Sequence, residues 1–282
     1  MKTLLSAALC TLFLSTVLLA PAARAHDTGA PTSDTQVVWV AGPCTEPVLF
    51  AEINADAVRS HIPAAYPGGE ADFMQKLVTY PGADGLAKAT LVFTLNSCRD
   101  SETTRVVNGK AQPAHAGTNV SEILVAVMWN GPSANDFEFY ALRTFISDPM
   151  LAGAVRSLGL PAQATPNLVY DFAANPDVPE PGAVVPFRIG VPGAFEFTGT
   201  VVRPLAFDSG GHATHHFHGP RGAVWVEHDT PVGAMSVVQA TITVTGQKGA
   251  WLAQLLGGTS VPAGGLYLEK QVGHAHAAYL LP

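Results

Sequence analysis

Short runs of β-branched and aromatic residues, cut by Gly, Pro, Asn and Asp, set the rhythm of this chain. QVVWV (36–40), ATLVFTL (89–95), EILVAVMW (122–129) and FEFYALRTF (137–145) have the composition and bounded length of strands. The last two flank NGPSAND, a turn-rich link, and read as a hairpin. Further strands are expected at LVYDF (168–172), FEFTGTVV (195–202), AVWVEH (223–228), SVVQATITV (236–244) and LYLEKQV (266–272). Helical spacing is rarer. NADAVRSHI (54–62) starts on an Asn cap. DPMLAGAVRSLG (148–159) has Asp148 as cap, Pro149 at the first helical position, Leu151, Ala154, Val155 and Leu158 on one side, and Gly159 as its stop. KGAWLAQLLGG (248–258) suits a shorter helix. PDVPEPGAVVP (176–186) is the strongest linker signal, and no fixed-period repeat is visible. The pattern predicts a mainly β (α+β) fold with two or three short helices, in one domain over 36–282 that this linker crosses.

Residues 1–25 stand apart. Lys2 gives a basic start, Leu4–Ala20 an apolar run, and Ala23-Arg24-Ala25 a small-x-small cleavage box, as in a signal peptide. A membrane anchor is the rival reading, but the run is short for a span and the box follows it directly. The expected mature chain begins at His26 with a small, polar tail over 26–35 and works in the periplasm or outside the cell. Cys10 leaves with the leader. Cys44 and Cys98 remain, and two cysteines in an oxidising compartment favour a disulfide over two buried thiols.

Without Lys2 and Arg24, 13 basic residues face 22 acidic ones, a net charge of −9 that disfavours nucleic acid as a partner. With 13% charged and 48% hydrophobic residues, 27 Gly and 22 Pro, the chain suits a turn-rich β protein rather than disorder. After cleavage no membrane partner is expected; a homo-oligomer stays open.

The order of features in the middle of the chain is specific. VSEILVAVMWNG (120–131) is a Ser-Glu strand running into an Asn-Gly turn. FYALRTFISDPMLAGAVRSLGLPAQA (139–164) is a second aromatic strand ending in Asp-Pro, then an Ala-Gly helix and Gly-Leu-Pro; INADAVRSHIPAAYP (53–67) adds a looser match. This resembles the acetoacetate decarboxylases and their relatives over roughly the first half of the mature chain. The resemblance implies an antiparallel β-cone or barrel with a few short helices around an interior cavity. In those enzymes the first lysine of a Pro-Lys-Lys run forms a Schiff base with the substrate ketone, and its neighbour's charge lowers its pKa. Ala162 and Gln163 hold those positions here, so both groups that define the reaction are missing. The arginine of the family's helix is displaced as well, with Val155 at its position and Arg156 next. Glu122 matches the family's strand-opening carboxylate and is the surviving candidate catalytic group; a strand-end glutamate paired with a neighbour is the alternative. Lys76, Lys88, Lys110, Lys248 and Lys270 have no adjacent lysine and read as solvated side chains.

HATHHFHG (212–219) gathers four of the ten histidines. In a strand, His212, His216 and His218 share one face and His215 takes the other. If GPRG (219–222) turns a hairpin, His228 could join His216 and His218, and His274 and His276 form a second i, i+2 pair. Three imidazoles and a water suit zinc or copper. The spacing matches no established zinc box, so a structural or surface role, with little effect of His216→Ala on stability, is the favoured reading and no cofactor is expected. A G-x-S-x-G elbow, a Walker loop and a GxGxxG turn are all missing. The sequence thus predicts an exported protein that binds a small oxo acid or more apolar compound in an interior cavity without Schiff-base decarboxylation. The alternative is a lysine-independent lyase or hydrolase, in one form metal-dependent through the histidines at 212–228.

Overall fold

The structure, a computed structural model, describes residues 35–107, 110–132, 137–172, 181–220, 222–269 and 273–280. It is mainly β. Fifteen strands form one hydrogen-bonded system: β1 (Thr35–Thr45), β2 (Pro47–Asn54), β3 (Thr79–Pro81), β4 (Ala87–Val107), β5 (Lys110–Met128), β6 (Phe137–Ile146), β7 (Ala162–Ala164), β8 (Val169–Phe172), β9 (Val184–Val191), β10 (Phe195–Val202), β11 (Ser209–Gly219), β12 (Gly222–Val238), β13 (Ala240–Gly246), β14 (Ser260–Glu269) and β15 (Gly273–Leu280). Among the described residues three α-helices accompany them: α1 (Gly69–Lys76), α2 (Pro149–Leu158) and α3 (Trp251–Leu256).

The pairings close a ring. β4 pairs with β5, β5 with β6, β6 with β11, β11 with β12, β12 with β15, β15 with β1, and β1 returns to β4. At the other end of the long strands, β2 and β14 make the same bridge between β4 and β12. Closure removes unpaired strand edges, which would otherwise be open to association. From β14 an arm of β13, β10, β9 and β8 folds back over the outside of β4, β5 and β6. Phe197 meets Phe93 at 4.7 Å between ring centroids and Phe195 meets Phe145 at 5.1 Å, so these side chains face the arm. The Tyr170 hydroxyl on β8 ties the arm down by donating to the Thr45 carbonyl at 2.9 Å.

Because strand side chains alternate, Phe93, Leu95, Ile123 and Val125 share the outward, arm-covered face, and Thr94, Asn96, Glu122 and Leu124 share the inward one. The outward set is fully buried, and each Phe or Leu removed from water contributes roughly 1.5–3 kcal/mol. This layer is the main core.

Local signals act as expected in α2: Asp148 accepts from the Met150 and Leu151 amides, and Gly159 ends the helix at φ 108°. Other elements differ from the sequence reading. Residues 55–61 wind as a 3-10 helix capped by Asn54. SVVQATITV is divided between β12 and β13 at Gln239, whose carbonyl is taken by the Val202 amide. The proposed linker yields Val184–Pro186 to β9. Helix α1 was missed because Phe73 is its single buried residue, too little for an apolar stripe to show.

Candidate functional site

The inward face of β4 to β7 carries a polar group of side chains. Asn96, Glu122, Ile146 and Ala164 stand in register across the four strands, and Thr94, Leu124, Thr144 and Ala162 form the neighbouring row on the same face. Glu122 and Ala162 therefore share the inside of the ring, while Gln163 is exposed and alternates away from it. Thr94, Asn96, Glu122 and Thr144 are all buried. Farther along this face Val48, Phe50, Met128 and Ala213 remain half-buried beside Val92, Ala126 and Phe139, so the inside is less completely covered than the main core.

Glu122 is the chemically distinctive member. Its carboxyl is pushed from 4.5 to about 8 by loss of water alone, because a buried charge without compensation is disfavoured. At neutral pH it is a neutral acid that can donate a hydrogen bond, which an ionised carboxylate cannot. Lys88 is on β4 eight residues before Asn96, about 26 Å at strand rise, and its ammonium is held by Asp84 at 2.7 Å. Lys110 and Lys270 have side chains outside the described residues. Arg156 donates from Nε to the Ala162 carbonyl at 2.9 Å, anchoring β7 rather than entering the row.

A second site lies on the outer side of the sheet, between α1 and the β11–β12 hairpin. It is a cavity of about 500 Å3 lined by Tyr66, Trp129, His216, His218 and Trp225, with Lys76 and Asp72 among its lining residues. The Lys76 ammonium is 3.0 Å from Asp72 Oδ2 and donates to the Tyr66 hydroxyl at 3.2 Å; Tyr66 in turn donates to Asp72 at 2.5 Å. Asp72 holds Lys76 charged, and the Tyr66 hydroxyl and Lys76 keep Asp72 below the usual carboxylate range. A charged ammonium is the wrong form for imine chemistry. The ammonium also lies 5.5 Å from the Trp129 ring centroid, within cation–π range.

The histidine segment is a strand, and β11 and β12 do form the expected hairpin. His216 is 1% exposed and packs between Trp129 at 5.2 Å and Trp225 at 5.1 Å, so of the structural or surface role expected for it the surface alternative is corrected: aromatic neighbours exclude water from its ring. Burial, then His218 and Lys76, lower its pKa to about 3. It is thus neutral, and its 3.9 Å approach to Glu138 is not an ion pair. His218 is half-buried; its amide donates to the Tyr140 hydroxyl at 3.0 Å, and that hydroxyl sits 3.3 Å from its Nδ1. His215 is on the other face, 4.9 Å from the Phe139 ring. The hairpin register does not set His228 beside His216 and His218. His216 is opposite Trp225, whereas His228 is opposite Ala213 on one side and His276 on the other. The side chains of His228, His274 and His276 lie outside the described residues. Among the described residues, no group of three or more His, Cys, Asp or Glu is placed to hold a metal ion. The cavity was missed in sequence because α1 and the hairpin that make it are about 140 residues apart; His216 and His218 were its visible trace.

Cys44 and Cys98 face each other in the β1–β4 register with Cα atoms 4.1 Å apart and sulfurs at bonding distance. Residues 1–34 lie outside the described residues, and no described helix is long and apolar enough to cross a membrane.

No family model and no curated protein sequence matches the chain. Solved structures similar to it include the enduracididine biosynthesis enzyme MppR with HEPES bound, at 14% identity over 94% of this chain and 96% of that one, TM-score 0.44. An acetoacetate decarboxylase from Legionella pneumophila is similar at 11% identity over 95% of this chain and 93% of that one, TM-score 0.45. An acetoacetate decarboxylase-like enzyme from Sphingomonas wittichii RW1 is similar at 15% identity over 92% and 96%, TM-score 0.41. At these identities the likeness is one of chain path alone.

Proposed function

We propose that this is an exported, acetoacetate-decarboxylase-like protein that holds a small carbonyl compound, such as an oxo acid, inside the strand ring without forming an imine. The observation that carries the reading is that Ala162 and Glu122 stand in neighbouring rows of one inward face, with β6 between them: an alanine where the enzymes that the sequence resembles have their amine, and a carboxyl that keeps its proton to about pH 8. A protonated acid donates to a carbonyl oxygen, and Thr94, Thr144 and Asn96 add neutral polar groups on the same face. Such a set supports reversible holding of an uncleaved ligand. Export is supported by the leader pattern at 1–25 and by the Cys44–Cys98 juxtaposition.

Glu122's proton also favours one second reading. A carboxylic acid with a pKa near 8 is in the range that general acid catalysis uses near neutral pH, so a lysine-independent lyase or hydrolase would employ the same residue. Calorimetric titration with acetoacetate from pH 6 to 10 tests the binding reading. Affinity should be flat to about pH 8 and then fall by about tenfold per unit as Glu122 ionises against an anionic ligand. Glu122→Gln should flatten the profile. A pH-independent affinity in the wild type would remove Glu122 from the site, and turnover of the compound would select the enzyme reading.

A further inference from the structure

We propose that the inside of the strand ring selects uncharged carbonyl compounds, such as ketones and the amides and esters of oxo acids, over oxo-acid anions. The inference rests on the reading that this face holds a carbonyl ligand, and it narrows the ligand class.

The lining carries it. Across β4 to β7 the rows Asn96, Glu122, Ile146, Ala164 and Thr94, Leu124, Thr144, Ala162 set an amide, two hydroxyls and one carboxyl among alkyl side chains. Thr and Asn side chains donate and accept hydrogen bonds without charge. Cys98 Sγ lies 3.0 Å from Asn96 Oδ1, so a neutral group flanks the row on that side. In the other direction the face turns apolar, with Val92, Ala126 and Phe139. Among the described side chains of β4 to β7 and α2, the cations are Lys88, Arg143 and Arg156, and each is engaged elsewhere. Lys88 is at the far end of β4 on Asp84. Arg143 stands opposite Val125, on the outward face, with its guanidinium 4.7 Å from the Trp251 ring centroid. Arg156 turns its Nε to the Ala162 carbonyl. His215, beside Phe139, is kept neutral by burial.

Glu122 reports what a negative charge costs at this place. Its shift from 4.5 to about 8 has burial as its one cause, with no cation offsetting it, and corresponds to a penalty on ionisation of about 3,000-fold. A ligand carboxylate seated beside Glu122 meets the same shortage of water and counter-charge. An amide or ester of the same shape does not, while its ketone oxygen accepts the Glu122 proton equally well. The oxo acid is still admitted, at higher concentration.

The test is calorimetric titration of the full chain at pH 7 with acetoacetamide, methyl acetoacetate and acetoacetate. Acetoacetamide matches acetoacetate in size and differs in charge, and it should bind roughly thirtyfold tighter or more. The ester should at least match the amide, its extra methyl contributing about fourfold. Acetoacetate binding as tightly as the amide would overturn the proposal and leave the underlying reading in place. Glu122→Leu should weaken acetoacetamide by about tenfold, and Glu122→Gln, which keeps an N–H donor, should retain most of the affinity. An amide that fails to bind, or that binds Glu122→Leu as well as the wild type, would defeat the underlying reading and the proposal with it. The comparison of amide with acid is made on the wild-type protein, so it decides the proposal even if Glu122→Leu does not fold.

Discussion

Glu122→Gln isolates the energetic cost of keeping a carboxyl inside the ring. The folded protein holds this proton to about pH 8, whereas the unfolded chain releases it near 4.5. Below pH 4.5 both states are protonated and burial carries no charge penalty. As pH rises from there, the unfolded state gains by ionising and the folded state does not, so stability falls by about 1.4 kcal/mol per unit. The loss is complete once pH passes the folded value, and the gap from 4.5 to about 8 corresponds to about 5 kcal/mol. Glutamine is close in shape and does not titrate. The variant should therefore lack this slope, and every other group cancels in the difference between the two proteins. Urea unfolding of both, from pH 4 to 9, gives that difference directly. It should grow in favour of Glu122→Gln by several kcal/mol between pH 5 and 8, equivalent to a relative shift in Tm on the order of 10 °C. Parallel stability profiles would refute the buried, neutral carboxyl.

Joining Cys44 to Cys98 closes a segment of 54 residues, worth about 4 kcal/mol in the chain-entropy model; non-reducing peptide mapping should find the cross-link and Cys98→Ser should lose a similar amount, whereas two thiols alkylated in the native protein would contradict it. His216→Ala removes a buried ring from between Trp129 and Trp225 and should destabilise the protein by about 2–3 kcal/mol in denaturant melts. A loss below about 1 kcal/mol would return His216 to a surface role.

The parts of the fold with local chemical signatures were legible in sequence. α2 carried its cap, its Pro and its terminal Gly within twelve residues, and β6 and β10 were bounded runs of aromatic and β-branched residues. Ring closure had no such signature, since β1 meets β15 through a pairing that spans the chain, with Gln36 opposite Tyr279. The long ends of β4 and β5 were hidden for a related reason: they are polar, and pairing with each other rather than an apolar stripe makes them strands. Glu122 could be singled out by the resemblance that its Ser-Glu run carries, although it lies inside β5 rather than at a strand opening, and its raised pKa depends on burial that no local pattern reports. For the histidines, alternation correctly separated His215 from His216 and His218, while the neighbours that bury His216 are Trp129, just past the end of β5, and Trp225 on β12. Register, not spacing, decides which residue stands opposite them.

The proposal that the protein forms no Schiff base is most directly tested by mass spectrometry of the full chain incubated with acetoacetate and then with borohydride. Native spectra should show a ligand complex, and denatured spectra should return the unmodified mass, because Ala162 offers no amine on the inward face that carries Glu122. A covalent adduct surviving denaturation and mapping to any lysine would contradict the account and place imine chemistry back in the protein.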